Sequence, residues 1–150
     1  LEADPGWSRS GSPAVGSWVS SIIKDSWGSP STCGPQQLLE GGCWASERYK
    51  TVGQWIVFDL GRRGLVSEVR VRGHYVKPGR NAKELQWQAG AGLDGPWETV
   101  ATISGKQNSS WSVTAIEPPA ASRWWRLLVR TNFGDDSYVW LCGFGLRLAA

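Results

Sequence analysis

The sequence predicts an all-β fold, an antiparallel sandwich or jelly roll of about eight strands. Three observations carry that reading. Short segments of alternating apolar and polar residues recur along the second two thirds of the chain, and alternation is the signature of a half-buried strand. The 19 glycines and 8 prolines are spread along the chain instead of being massed in one linker, as turns between short elements require. No window shows sustained three- and four-residue apolar spacing with caps at both ends, so long helices are not expected.

Taken in order, the first 50 residues form a loop-rich leading segment. Trp7, Trp18, Trp27 and Trp44 stand there among Gly, Ser and Pro, with one short apolar run over 19–23. The main strands follow from residue 51. In 54–60, Ile56, Phe58 and Leu60 alternate with Val57 and Asp59, and Gly61 is expected to end the strand before a turn at Arg63 and Gly64. In 65–72, Val69 and Val71 oppose Glu68, Arg70 and Arg72. Residues 84–89 and 97–103 read as a hairpin closed by Leu93-Asp94-Gly95-Pro96. Strands over 110–116, 124–129 and 138–148 complete the set, divided by Glu117-Pro118-Pro119 and by Asn132-Phe133-Gly134-Asp135-Asp136. Trp124 and Trp125 must face opposite sides of one strand, so at most one is core.

Composition bounds the rest. A chain of 150 residues with 41% apolar content reads as one domain, 1–150. No run approaches the roughly 20 apolar residues of a membrane span, and the leading LEADPGWSRS lacks the basic head and apolar stretch of a secretion signal, so the chain is expected to be soluble. Methionine is absent even at position 1, as in a processed or excised portion of a longer, multidomain chain. A net charge of +3 is far below that of a dedicated nucleic-acid binder, and nucleic acid is not expected as a partner. The cations do cluster: Arg62, Arg63, Arg70, Arg72, Lys77, Arg80 and Lys83 share a stretch with one acid, Glu68.

Cys33, Cys43 and Cys142 form no CxxC pair and, with one His, no convincing zinc set. Cys33 and Cys43 have a separation compatible with a small disulfide loop, leaving Cys142 as a buried thiol or a partner for either. Three reduced thiols fit equally well. Asn108-Ser109-Ser110 is a glycosylation sequon, usable on a secretory route.

Several motifs in order resemble the discoidin family, also called coagulation factor 5/8 type C domains. Leu38-Leu39-Glu40-Gly41-Gly42-Cys43-Trp44 is similar to the family's loop leading to a buried Trp. Gln54-Trp55 with Asp59-Leu60-Gly61 is close to its most specific strand. Leu85-Gln86-Trp87-Gln88 with Asp94-Gly95-Pro96-Trp97 resembles its hairpin, and Ser122-Arg123-Trp124-Trp125-Arg126-Leu127 a later strand. The resemblance implies a galactose-binding-like jelly roll whose ligand meets loops at one end, at an extracellular site or cell surface. It also implies structural roles for Asp59 and Arg126, able to pair across adjacent strands. Some members hold calcium; here the loop offers Glu40 as a ligand, but Gly143 and Gly145 stand where a late acid would fall. Many members join a Cys at the very start to one at the end, whereas no Cys precedes Cys33 here.

By position the ligand loops are 24–31, 73–81 and 132–137. For a sugar, Tyr75 or Trp27 would be the platform under a pyranose, and His74, Arg80 and Asn81 would supply hydrogen bonds, with Lys77 and Phe133 at the rim. The bland alternative is that His74 and Arg80 are ordinary solvated loop residues. A glycan is therefore the first expected partner and a protein, held by the same aromatic and Arg-rich loops, the second. An anionic membrane surface is third: Trp27, Lys24, Lys77 and Arg80 would serve it, but Asp25, Asp135 and Asp136 share that end. Catalysis is not expected. There is no GxSxG, no phosphate-cradling loop and a single His, and Asp135 and Asp136 are neighbours whose side chains diverge.

Overall fold

The computed structural model describes residues 16–149; the expectation that Trp7 pins the leading segment lies outside them. Eight strands run in the order β1 (Gly16–Val19), β2 (Trp44–Ala45), β3 (Gln54–Arg72), β4 (Ala82–Gly90), β5 (Trp97–Ser104), β6 (Ser112–Asn132), β7 (Trp140–Leu141) and β8 (Gly143–Leu148). One short helix, α1 (Pro35–Leu39), and one 3-10 turn (Pro78–Arg80) interrupt them. Every pairing among these strands is antiparallel: β1-β3-β6-β4-β5 in sequence across the sheet, β8 on the far half of β3, and β2 with β7 as a separate ribbon. This is a jelly-roll sandwich.

Two long strands close it. Gln54–Arg72 is one strand and not two, because Gly61 to Arg63 bulge out without ending it. Between the pairs Asp59↔Trp124 and Gly64↔Ser122, residues 60–63 stand opposite residue 123 alone. Between Val66↔Ala120 and Glu68↔Ala115 the excess passes to β6, where Glu117-Pro118-Pro119 is absorbed as a second bulge instead of separating two strands. The first bulge leaves the inward parity of β3 unchanged, and the second resets it. Accordingly Ile56, Phe58, Leu60 and Val66 are buried on even numbers, and Val69 and Val71 on odd. The 138–148 stretch is split by Cys142 into β7 and β8, which serve different sheets. The hairpin of β4 and β5 forms as the turn residues dictate, with Gly95 at φ +85°.

The core centres on stacked rings. Trp87 and Trp125 lie 5.1 Å apart and nearly parallel, and Phe58 stacks on Phe144 at 4.7 Å. Trp125 is buried while Trp124 on the opposite face meets Trp18 at 5.8 Å. A smaller cluster of Ile23, Ala45, Tyr138, Trp140 and Cys142 forms a second core.

One expected pairing is corrected, and the open pairing of the cysteines is decided. Asp59 pairs with Arg123, at 2.8 and 3.0 Å, and not with Arg126. The cause is register: Asp59 sits opposite Trp124, one residue from Arg123, whereas Arg126 lies opposite Val57 and donates to Gln88. Cys43 bridges Cys142, not Cys33, which stays a free, half-buried thiol. Trp44 pairs with Leu141 across the β2/β7 ribbon, which sets the next two residues, Cys43 and Cys142, opposite one another. Within the basic stretch, Arg70 and Arg72 lie over Trp111 at 4.0 and 4.4 Å, and Glu68 pairs with Arg147.

Candidate functional site

The site grows from the small core outward. Tyr138 and Trp140 are two apart on one strand-like stretch, so their rings share a face, while Val139 between them enters the main core. Above them the loop 73–81 is fastened by Asn81, which is fully buried. Its Oδ1 accepts from the Trp140 indole N–H at 2.7 Å and from the His74 backbone N–H at 2.9 Å. Its Nδ2 donates to the carbonyls of His74, Lys106 and Asn108. Gly73 permits this approach, since a Cβ there would lie 2.1 Å from Asn81 Cγ.

Arg80 is held in an aromatic box. Its guanidinium stands 4.7 Å from the Tyr138 ring, 4.9 Å from Trp27 and 5.1 Å from Trp140, with Nε 3.4 Å from Asp135 Oδ2. Cation–π contacts of this kind contribute about 0.5–2 kcal/mol each. Asp135 also caps its own loop, accepting from the N–H groups of Ser137 and Tyr138. Trp27 sits in a tight turn bridged between Asp25 and Gly28 and meets Tyr138 and Trp140 edge-on, while the Tyr138 hydroxyl donates to Asp25. Of the acids at this end, Asp25 and Asp135 are thus each engaged by a neighbour.

His74 stacks on Tyr75 at 4.6 Å and lies edge-on to Trp140 at 6.2 Å. Its Nδ1 accepts from the Val76 N–H at 3.0 Å, which assigns the ring proton to Nε2 and leaves that nitrogen as a donor. Tyr75 is 72% exposed and Trp27 42%. Phe133 donates its backbone N–H to the Gly79 carbonyl and lies 5.8 Å beneath Lys83.

The structure therefore brings Trp27, His74, Tyr75, Arg80, Asn81 and Phe133 to one end of the sandwich, where Lys77 stands exposed with a left-handed backbone, φ +53°. The expectation for Asn81 changes: a residue without exposed surface fixes the loop and cannot meet a ligand. Tyr138 and Trp140, which line the floor, were assigned by sequence only to a closing strand; their i, i+2 aromatic spacing was the available signal. Glu40 ends α1, which packs on β1, β2 and β8, and its carboxylate accepts from Gln36 at 2.9 Å. Among the described residues no three His, Cys, Asp or Glu side chains gather as metal ligands.

The fold defines a class, the galactose-binding-like jelly roll shared by carbohydrate-binding modules and discoidin domains. Among solved structures, the chain is similar to the family 32 carbohydrate-binding module of NanJ from Clostridium perfringens in complex with galactose, with a TM-score of 0.70 and 11% identity over 87% of this chain and 91% of that one. Another family 32 module of Clostridium perfringens, in complex with GalNAc-β-1,3-galactose, gives 0.72 and 10% over 88% and 94%. The chitosan-binding module 2 of a Paenibacillus sp. IK-5 chitosanase/glucanase, in complex with chitotriose, gives 0.67 and 19% over 88% and 95%. At such identities the likeness is one of fold. No protein family and no curated protein matches the chain.

Proposed function

We propose that this chain is a single discoidin-like, non-catalytic recognition domain that binds a glycan at the loop end of the sandwich, outside the cell, as one part of a longer polypeptide. The observation that carries the reading is the stack at Tyr75: an exposed ring backed by His74, which is itself braced on Trp140. A pyranose offers an apolar C–H patch to such a ring and hydroxyls to the donors beside it. His74 Nε2 and the guanidinium of Arg80 are those donors; Arg80 gives only Nε to Asp135. Trp27 and Phe133 border the same end, and Lys77 extends from it. Support comes also from the structural neighbours, whose bound ligands are galactose, GalNAc-β-1,3-galactose and chitotriose. The Cys43–Cys142 disulfide favours an oxidising compartment.

A glycan-array screen of the folded protein, with and without added calcium, tests this. Selective binding is expected, unaffected by calcium and weakened about tenfold or more by Tyr75→Ala, which removes about 1.4 kcal/mol or more of affinity. Because Tyr75 is exposed, the substitution should leave the melting temperature unchanged. A blank array from folded protein would sink the glycan reading and bring a protein partner to the front.

A further inference from the structure

Away from the loop end, the outer face of the six-stranded sheet carries a cleft of about 170 Å³ lined by Trp55, Val57, Leu93, Asp94, Trp97 and Arg126. It shares no residue with the loop cluster. Register explains its floor: Val57 pairs with Arg126, Arg126 with Gln88, and Gln88 with Thr99, so one row crosses four strands. Trp97 lies flat across two glycines. A Cβ on Gly90 would stand 2.4 Å from its ring and one on Gly95 2.8 Å, so glycine at both positions lets the indole cover the sheet as a fixed wall. Arg126 rests over that ring at 5.1 Å.

The polar groups of the cleft are incompletely used. Arg126 gives Nε to Gln88 Oε1 at 2.6 Å, and among the described residues no carboxylate lies within ion-pairing distance of it. Burial lowers its pKa, as expected of a cation sunk among rings without a counter-ion. Its terminal nitrogens and the indole N–H groups of Trp55 and Trp97 have no protein acceptor among the described residues. The Asp94 carboxylate at the same cleft has no protein donor there. An apolar chain or peptide side chain would strand these groups away from water without partners. A phosphate or acidic polymer would meet Asp94 and only one cation. A neutral pyranose matches both features, with C–H faces for Trp55, Leu93 and Trp97, and hydroxyls that accept from Arg126 while donating to Asp94.

We infer that this cleft is a second carbohydrate site, independent of the loop end, that takes one neutral pyranose ring. Its volume lies below the roughly 300–1,000 Å³ of sites for drug-sized ligands, which suits a single ring.

The test follows the indole N–H resonances of Trp55 and Trp97 by NMR, assigned with Trp55→Phe and Trp97→Phe, while galactose, N-acetylgalactosamine and chitotriose are titrated in turn. The expected result is a saturable shift of both resonances with at least one sugar, kept in Tyr75→Ala and weakened about tenfold in Arg126→Leu. If Arg126→Leu fails to fold, Trp97→Phe, which keeps a ring and loses the donor, takes its place and should weaken the Trp55 response. Two outcomes overturn the inference: neither resonance moves with any of the three sugars, or both movements vanish in Tyr75→Ala. A response here with none at Trp27 or Trp140 would leave this site standing and remove the loop end.

Discussion

Asn81 shows how much of the loop end depends on one side chain. Its amide joins loop 73–81, the 105–111 connection and β7 through five hydrogen bonds, four of them to backbone groups. Replacement by Ala would strand the Trp140 indole N–H and the His74 N–H beneath the surface and leave a small void. The expected cost is about 2–6 kcal/mol, from about 1–3 kcal/mol for each of the two polar groups left unpaired. Urea unfolding of Asn81→Ala measures it directly. Glycan affinity should fall in the same variant although Asn81 touches no ligand, because His74 and Tyr75 lose their anchor. An unchanged affinity would show that the platform is held from elsewhere. Asn81 was legible from the sequence as a residue of this end. Its role was not, because burial depends on Gly73 and on two distant segments that no local pattern announces.

At the level of elements, the pair Asp59–Arg123 fastens β3 to β6 beside the first bulge. Hydrogen bonds from Arg123 hold the Asp59 carboxyl below its usual range; burial opposes this, and the Gly61 N–H at 2.7 Å assists. The folded protein therefore binds this proton more weakly than the unfolded chain. The pair's stabilisation is fully present above the ordinary carboxylate pKa of about 3.9 and is lost as pH falls from there through the lower folded-state value. Between about pH 5 and pH 3 the urea midpoint of the native sequence should drop more than that of Asp59→Asn, since the amide does not titrate. Equal drops would mean that the pair contributes nothing to the acid side of the stability curve. Since Arg123 is half exposed, the difference should be small and should shrink further in salt. Alternation named Ile56, Phe58, Leu60, Val69 and Val71 of β3, all of them buried, but not Val57 or Val66. It could not join the halves of β3 or of β6, because a bulge looks locally like a turn: Gly61 to Gly64 and Glu117-Pro118-Pro119 carry turn chemistry and are passed over only because both long strands find partners on either side. The partner of Asp59 was misplaced for the same reason, register being set by the bulge.

For the whole molecule the decisive cross-link is Cys43–Cys142, separated by 99 positions and closing a loop that contains β2 to β7. Sequence spacing left the pairing of the three cysteines open, and the antiparallel ribbon of Trp44 and Leu141 decides it by bringing Cys142 across from Cys43. Closing a loop of about 100 residues stabilises a fold by about 4–5 kcal/mol if the effect is chain entropy in the unfolded state. Reduction, or the double replacement Cys43→Ser with Cys142→Ser, should then lower the melting temperature by about 10 °C or more at this chain length. Calorimetry distinguishes two ways of losing that stability. If the bridge constrains the whole chain, the heat-absorption peak moves down as one transition. If it holds only the small core of Ile23, Ala45, Tyr138 and Trp140, a minor transition separates at lower temperature and the near-ultraviolet signal of the loop-end tryptophans disappears with it. We expect the single transition, because Val139 of that end lies in the main core and Leu141 does as well, so the two clusters interleave residue by residue along one segment. Glycan binding at the loop end would then persist in the reduced protein up to its own lowered melting point.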